Sequence, residues 1–198
     1  MSDYRLSLAP RTAQDAQDAA KTILEQSEAE MGMVPNMYAR MANSPGLLQT
    51  YTEGYNRFRE ESGFSAAEQE VVLLTISRHN GCTYCMAAHS MIADNMSGVP
   101  EADLQALRDG KPLVDGQLRA LADFCQHLLE TQGHPQSQAV EQFLAAGYTE
   151  RQILEIVLAM AVKLLSNYSN HLFQTPVDDA FAAYTWPADA DDDRAQTG

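Results

Sequence analysis

The stretch from Glu70 to His89, EVVLLTISRHNGCTYCMAAH, decides how the chain is read. Its first half carries the apolar run Val71, Val72, Leu73, Leu74 and Ile76. The run is preceded by Ser65-Ala66-Ala67-Glu68, a capping box in which the Ser hydroxyl and the Glu carboxylate each satisfy a backbone donor at a helix start. Asn80-Gly81 then interrupts the pattern with two residues that tolerate the left-handed backbone at helix ends. A second helix is expected from about Cys82 to Asn95, giving helix–turn–helix. Cys82, Cys85 and His89 follow one another at spacings of three and four, which places them on one face of that helix.

Helical signals continue on both sides. Residues 12–31 carry an apolar stripe of Ala16, Ala19, Ala20, Ile23 and Leu24, stopped by Gly32 to Pro35. Ser44-Pro45 suits a helix start and is followed by Leu47, Leu48, Tyr51, Tyr55 and Phe58 at helical spacing. Pro100 opens a short helix through Leu107, Asp115 caps one through Leu129, and residues 136–145 form another after the turn Gly133-His134-Pro135. Thr149-Glu150-Arg151-Gln152, a second capping box, opens the most apolar helix. Strand-like alternation is scarce, so the expected fold class is all-α, a helical bundle. At ~150 residues per domain, 198 residues imply one domain, here 1–186, with an Asp- and Ala-rich tail at 187–198 expected to be disordered. At an offset of 85 residues, Glu70 falls on Glu155 and Cys82-x-x-Cys85 on Asn167-x-x-Asn170. A duplicated helical unit and chance agreement between amphipathic helices both account for this echo.

Lys and Arg number 13 against 27 Asp and Glu, a formal charge of −14. Nothing in that balance neutralises phosphates or seeks anionic lipid, so no nucleic-acid partner and no membrane are expected. The longest apolar stretch, Ile153 to Leu165, is short and is interrupted by Glu155 and Lys163. No secretory leader is evident, and three cysteines do not make a disulfide framework. A cytoplasmic protein is expected, with cysteine chemistry that is catalytic, redox or metal-binding.

Thiols at CxxC spacing can close a disulfide with little backbone movement. In the first turn of a helix, Cys82 would meet unpaired backbone N–H groups that favour a thiolate. His89, one turn beyond Cys85, can accept a thiol proton. Glu70, twelve residues before Cys82, can orient the imidazole if its helix folds back, or hold and return a proton itself. Thiol oxidation needs neither cofactor nor metal. Two plainer accounts compete: packing alone, and a structural zinc that takes His79 or Glu70 as a fourth ligand, since no second CxxC exists. Cys125 reads as core, and His127 and His134 as surface or turn residues. Asn167, Asn170 and His171 either line the same cavity or serve as caps and inter-helix bonds. Met31, Met33, Met37 and Met41 suit a core, a subunit contact or an adaptable lid. Trp186, with Phe181 and Tyr184, is expected to dock the last segment on its own or a neighbouring subunit.

The spacing Glu–x11–Cys–x2–Cys–x3–His resembles the signature of the alkylhydroperoxidase (AhpD)-like and carboxymuconolactone decarboxylase superfamily. The upstream stretch GMVPNMYARMANSPGLLQTYTEGY is similar to the N-terminal part of its peroxidase-related branch. The resemblance covers roughly residues 25–180 and implies an AhpD-like helical bundle assembling as a homotrimer or homohexamer. By that resemblance Cys85 is the thiol that attacks a hydroperoxide, Cys82 resolves the sulfenic acid to a disulfide, and Glu70 and His89 form the proton relay. An external thiol reductant would complete the cycle. Tyr84 stands where the best-known alkylhydroperoxidases carry a His, and it counts with His79 as a possible pocket residue. The rival readings are a decarboxylase-like lyase on a small carboxylated substrate and a non-enzymatic redox-sensing oligomer.

Overall fold

Local chemistry sets most of the helix boundaries. Glu68 donates its backbone N–H to the Ser65 hydroxyl at 3.3 Å, while the Glu68 carboxylate accepts the Ser65 N–H at 2.7 Å. Thr149 and Gln152 repeat this reciprocal cap. The Asp115 carboxylate accepts the N–H groups of Gln117 and Leu118, both at 2.9 Å. Ser44 makes no such bond, so the preset φ of Pro45 in the first turn is what favours that helix start.

The computed structural model describes residues 4–187. Its helices are α1 (Asp18–Met31), α2 (Asn36–Met41), α3 (Pro45–Glu61), α4 (Ala66–His79), α5 (Thr83–Asn95), α6 (Glu101–Asp109), α7 (Gly116–Glu130), α8 (Ser137–Ala145) and α9 (Glu150–Phe173), followed by a 3-10 turn at Asp179–Tyr184. Among the described residues there is no strand, and the fold is all-α, as expected. Two boundaries differ from the sequence expectation. The first helix begins at Asp18, because the Asp15 carboxylate accepts the Thr12 N–H at 2.7 Å and holds a turn there. The unforeseen α2 forms after Pro35 and buries Met37 and Met41. The expected tail falls mostly on residues 188–198, which lie outside the described residues.

Helix α4 is the central post. Gln69 through Ser77 are all buried, as a helix apolar around its circumference must be. One apolar cluster joins α4 to α6, α7 and α8 and includes the ring stack Phe124–Phe143–Tyr148, with centroids 4.4 and 4.7 Å apart. Cys125 is a buried thiol of this cluster. A second cluster gathers α1, α2, α3, the start of α5 and Val162 of α9, and it contains Cys82 and Cys85. The C-terminal segment docks on its own chain: Trp186 is buried and donates its indole N–H to the Arg108 carbonyl at 2.9 Å, and the Tyr184 hydroxyl donates to Asp94 at 2.6 Å. Leu154, Val157, Leu164, Tyr168 and Leu172 leave one apolar stripe of α9 exposed. No described helix is long and apolar enough to cross a membrane.

Asp115→Ala removes the acceptor for two orphan N–H groups. It should lower stability by about 1 kcal/mol and the thermal midpoint by about 2–4 °C. A calorimetric melt indistinguishable from that of the wild type would show that α7 does not depend on this cap.

Candidate active site

The α4–α5 turn builds the site. Gly81 sits at φ 67°, a left-handed conformation that glycine adopts without strain. The Cys82 N–H then returns to the Ser77 carbonyl at 2.9 Å, closing the end of α4. Cys82 is thus the N-cap of α5, where the sequence suggested the first turn, and its sulfur accepts the Cys85 N–H at 3.4 Å. Cys85, three residues on, lies inside that first turn among the unpaired backbone donors. Both thiols are free and buried.

Helix α9 supplies the rest of the sulfur environment. Asn167 donates its side-chain amide to the Cys85 sulfur at 3.0 Å, and Asn170 donates to the same sulfur at 3.4 Å and to that of Cys82 at 3.8 Å. Burial pushes the Cys85 thiol up. The hydrogen bond from the Cys82 thiol, the Lys163 ammonium, His89 and the Asn170 amide more than offset this and hold it well below the ordinary thiol range. Burial, together with the neighbouring Cys85 charge, pushes Cys82 well up. The two thiols are thus pushed in opposite directions, Cys85 towards the thiolate and Cys82 away from it.

Glu70 and His89 are brought together. Glu70 is 0% exposed, and one of its carboxylate oxygens lies 2.9 Å from His89 Nδ1. The other is bound by Arg59 of α3, which also donates to the Tyr55 hydroxyl at 2.6 Å and to Gln69 at 3.0 Å. Burial would raise the Glu70 pKa, but His89 and Arg59 lower it below the usual carboxylate value. Burial, helped by Lys163, lowers that of His89 despite the attraction of Glu70. An ionised carboxylate only accepts, so the neutral imidazole donates from Nδ1 and keeps a lone pair on Nε2.

A cavity of about 130 Å³ opens over these groups, with Cys85, His89 and Lys163 in its wall among Tyr38, Tyr51 and Tyr55. Met31, Tyr38 and Tyr55 are shared with a wider groove of about 530 Å³ between α1 and α3. Tyr84 lines the cavity, but its hydroxyl donates to Asp178 at 2.5 Å. Asp178 in turn accepts the Asn36 N–H at the start of α2. Burial and this carboxylate raise the Tyr84 pKa far above the ordinary phenol value.

His79 is not brought in. It lies exposed at the end of α4, where its Nδ1 accepts from the Gln126 amide at 3.2 Å. His171 is likewise exposed and stacks on Tyr168. Neither residue named as a fourth zinc ligand is available in this arrangement, since Glu70 is engaged by Arg59 and His89. Among the described residues no group of three or more His, Cys, Asp and Glu side chains forms a metal cage.

Sequence reasoning missed Arg59 and Lys163. Arg59 follows Tyr55 on an amphipathic helix and reads as a solvated charge. Lys163 is 0% exposed, and its ammonium has no hydrogen-bond partner. A signal for it existed: Lys163, Asn167 and Asn170 stand at positions i, i+4 and i+7 of the most apolar helix, one polar stripe where apolar residues would otherwise be expected.

Residues 45–124 match the carboxymuconolactone decarboxylase family. No functionally curated protein matches the sequence. Among solved structures, the alkylhydroperoxidase AhpD core protein from Ralstonia eutropha JMP134, a peroxidase-related protein, superposes with a TM-score of 0.78 at 19% identity, over 88% of this chain and 93% of that one. A peroxidase-related protein from Silicibacter sp. TM1040 gives 0.73 at 23% identity, over 91% and 97%. The debrominase Bmp8, in complex with 2,3,4-tribromopyrrole, gives 0.72 at 17% identity, over 91% and 96%. The family match and the shared fold coincide on the segment that carries the cysteine pair, and over that segment the chain is similar to the carboxymuconolactone decarboxylase family.

Proposed function

We propose that this protein is a thiol-dependent peroxidase that reduces small organic hydroperoxides through a Cys82–Cys85 disulfide cycle. The observation that carries the reading is the Cys85 sulfur, held by amide donors at 3.0 and 3.4 Å in the wall of an apolar cavity beside a neutral His89. A nucleophilic thiolate needs donors to stabilise it and a dry approach for its substrate, and both are present.

In the proposed cycle the Cys85 thiolate attacks the terminal hydroperoxide oxygen. The O–O bond breaks, the sulfur becomes a sulfenic acid, and the alcohol leaves with one added proton. The Cys82 thiol then attacks the Cys85 sulfur. Its proton passes to the departing hydroxide through His89 Nε2, and water and a disulfide result. Glu70 keeps the imidazole in the tautomer that accepts this proton, and Arg59 keeps Glu70 ionised. An external dithiol restores both thiols, so hydroperoxide and dithiol alone balance the cycle.

The same reading includes a homotrimer or homohexamer in the cytoplasm, where thiols stay reduced. The exposed apolar stripe of α9 supports contact between copies. The apolar cavity with Lys163 in its wall also favours a second reading, a lyase acting on a small carboxylated ring. That enzyme would keep its activity after both cysteines were alkylated.

Two measurements test the peroxidase reading. The reduced wild type should show the ultraviolet absorbance of one thiolate at neutral pH, and Cys85→Ser should remove it. Because the folded pKa of Cys85 lies below the unfolded one, the stabilisation from this thiolate is complete above the ordinary thiol range. It is lost as pH falls through the folded value, and Cys85→Ser should flatten that part of the stability profile. In steady-state hydroperoxide reduction with a dithiol, Cys85→Ser should abolish turnover. Cys82→Ser should consume one equivalent of hydroperoxide and stop. Full turnover in both variants would remove the peroxidase reading, and stoichiometric oxidation of the wild type without turnover would leave a redox-sensing oligomer.

A further inference from the structure

Breaking an O–O bond heterolytically leaves a negative oxygen, and an alkoxide is a poor leaving group until it is protonated. The Cys82 thiol already donates to the Cys85 sulfur. The amides of Asn167 and Asn170 point at sulfur. His89 spends its Nδ1–H on Glu70 and presents only a lone pair on its other nitrogen. The Tyr84 hydroxyl is committed to Asp178. Burial makes Tyr38, Tyr51 and Tyr55 weaker acids than an ordinary phenol.

The cavity wall holds one lysine, and that lysine has no partner. Lys163 projects from the middle of α9 and is fully buried, and its Nζ is unpartnered while it lines the cavity with Cys85 and His89. An ammonium taken out of water without an acceptor is unfavourable, and it is retained here where a ligand oxygen would supply the acceptor.

Resting on the peroxidase reading, we infer that Lys163 is a catalytic residue: its ammonium binds the leaving oxygen of the hydroperoxide and protonates it as the O–O bond breaks. The sulfur of Cys85 loses two electrons to the peroxide and keeps the terminal OH as sulfenic acid. The electron pair of the O–O bond leaves on the inner oxygen, which takes one proton from Lys163 and departs as the alcohol. Lys163 is left as the neutral amine. When the dithiol reduces the disulfide, the Cys85 thiol returns a proton to that amine and the thiolate–ammonium pair is restored.

The test is leaving-group dependence. Reduced wild type and Lys163→Met are mixed in single-turnover experiments with tert-butyl hydroperoxide and with peracetic acid, whose carboxylate leaving group needs no proton. The thiolate absorbance of each sample normalises the rates to the Cys85 thiolate present. Lys163→Met should react roughly 100-fold more slowly than wild type with the alkyl hydroperoxide, but within about threefold of it with the peracid. Lys163→Gln should give the same split, so poor folding of one variant does not decide the result. Equal slowing with both oxidants, or no slowing with either, overturns the proton-donor role. A wild type that loses its thiolate and forms a Cys82–Cys85 disulfide with neither oxidant defeats the peroxidase reading itself, which is a separate and visible result.

Discussion

A buried sulfur can move towards the thiolate only where donors replace the water it has lost, and the Cys85 sulfur is surrounded by such donors. The first turn of α5 supplies backbone N–H groups, Cys82 its thiol, and α9 the amides of Asn167 and Asn170. These donors come from segments more than 80 positions apart in the chain. The crossing of α9 over the start of α5 therefore builds the surroundings of the sulfur as well as the packing.

The second charged group is organised by the same logic. Glu70, buried in the middle of α4, is kept ionised by Arg59 from α3, and the ionised carboxylate fixes which nitrogen of His89 bears the proton. The charged groups fall into two sets: Glu70 bound by Arg59, and, in the cavity wall, the amide-held Cys85 sulfur with the unpartnered Lys163. His89 stands between them and is held neutral, free to take a proton. The ion pair with Arg59 is what lets the Glu70 carboxylate sit fully buried.

The apolar frame is divided accordingly. The cluster around α4, α6, α7 and α8 contains the large ring stack and is structural. The cluster around α1, α2 and α3 surrounds the cysteines and leaves the cavity between its tyrosines and methionines. Asp178 ties the first half of the chain to the last by accepting both the Tyr84 hydroxyl and the Asn36 N–H. This bond commits the Tyr84 hydroxyl to holding the two halves together.

Much of the molecule could be read from short-range chemistry. The two capping boxes, the Asp115 cap, the Asn80-Gly81 break and the helical face shared by Cys82, Cys85 and His89 all depend on residues within one or two turns of each other. Local hydrogen bonding and periodicity therefore sufficed for them. The meeting of Glu70 with His89 followed from a single tight turn and was legible for the same reason. Arg59, Lys163 and the separation of the two thiols into donor and thiolate were not legible, because each depends on burial and on groups contributed by distant helices. A lysine in an apolar helix is only an interruption of a pattern until packing removes the water around it and leaves Cys85 and His89 as its neighbours.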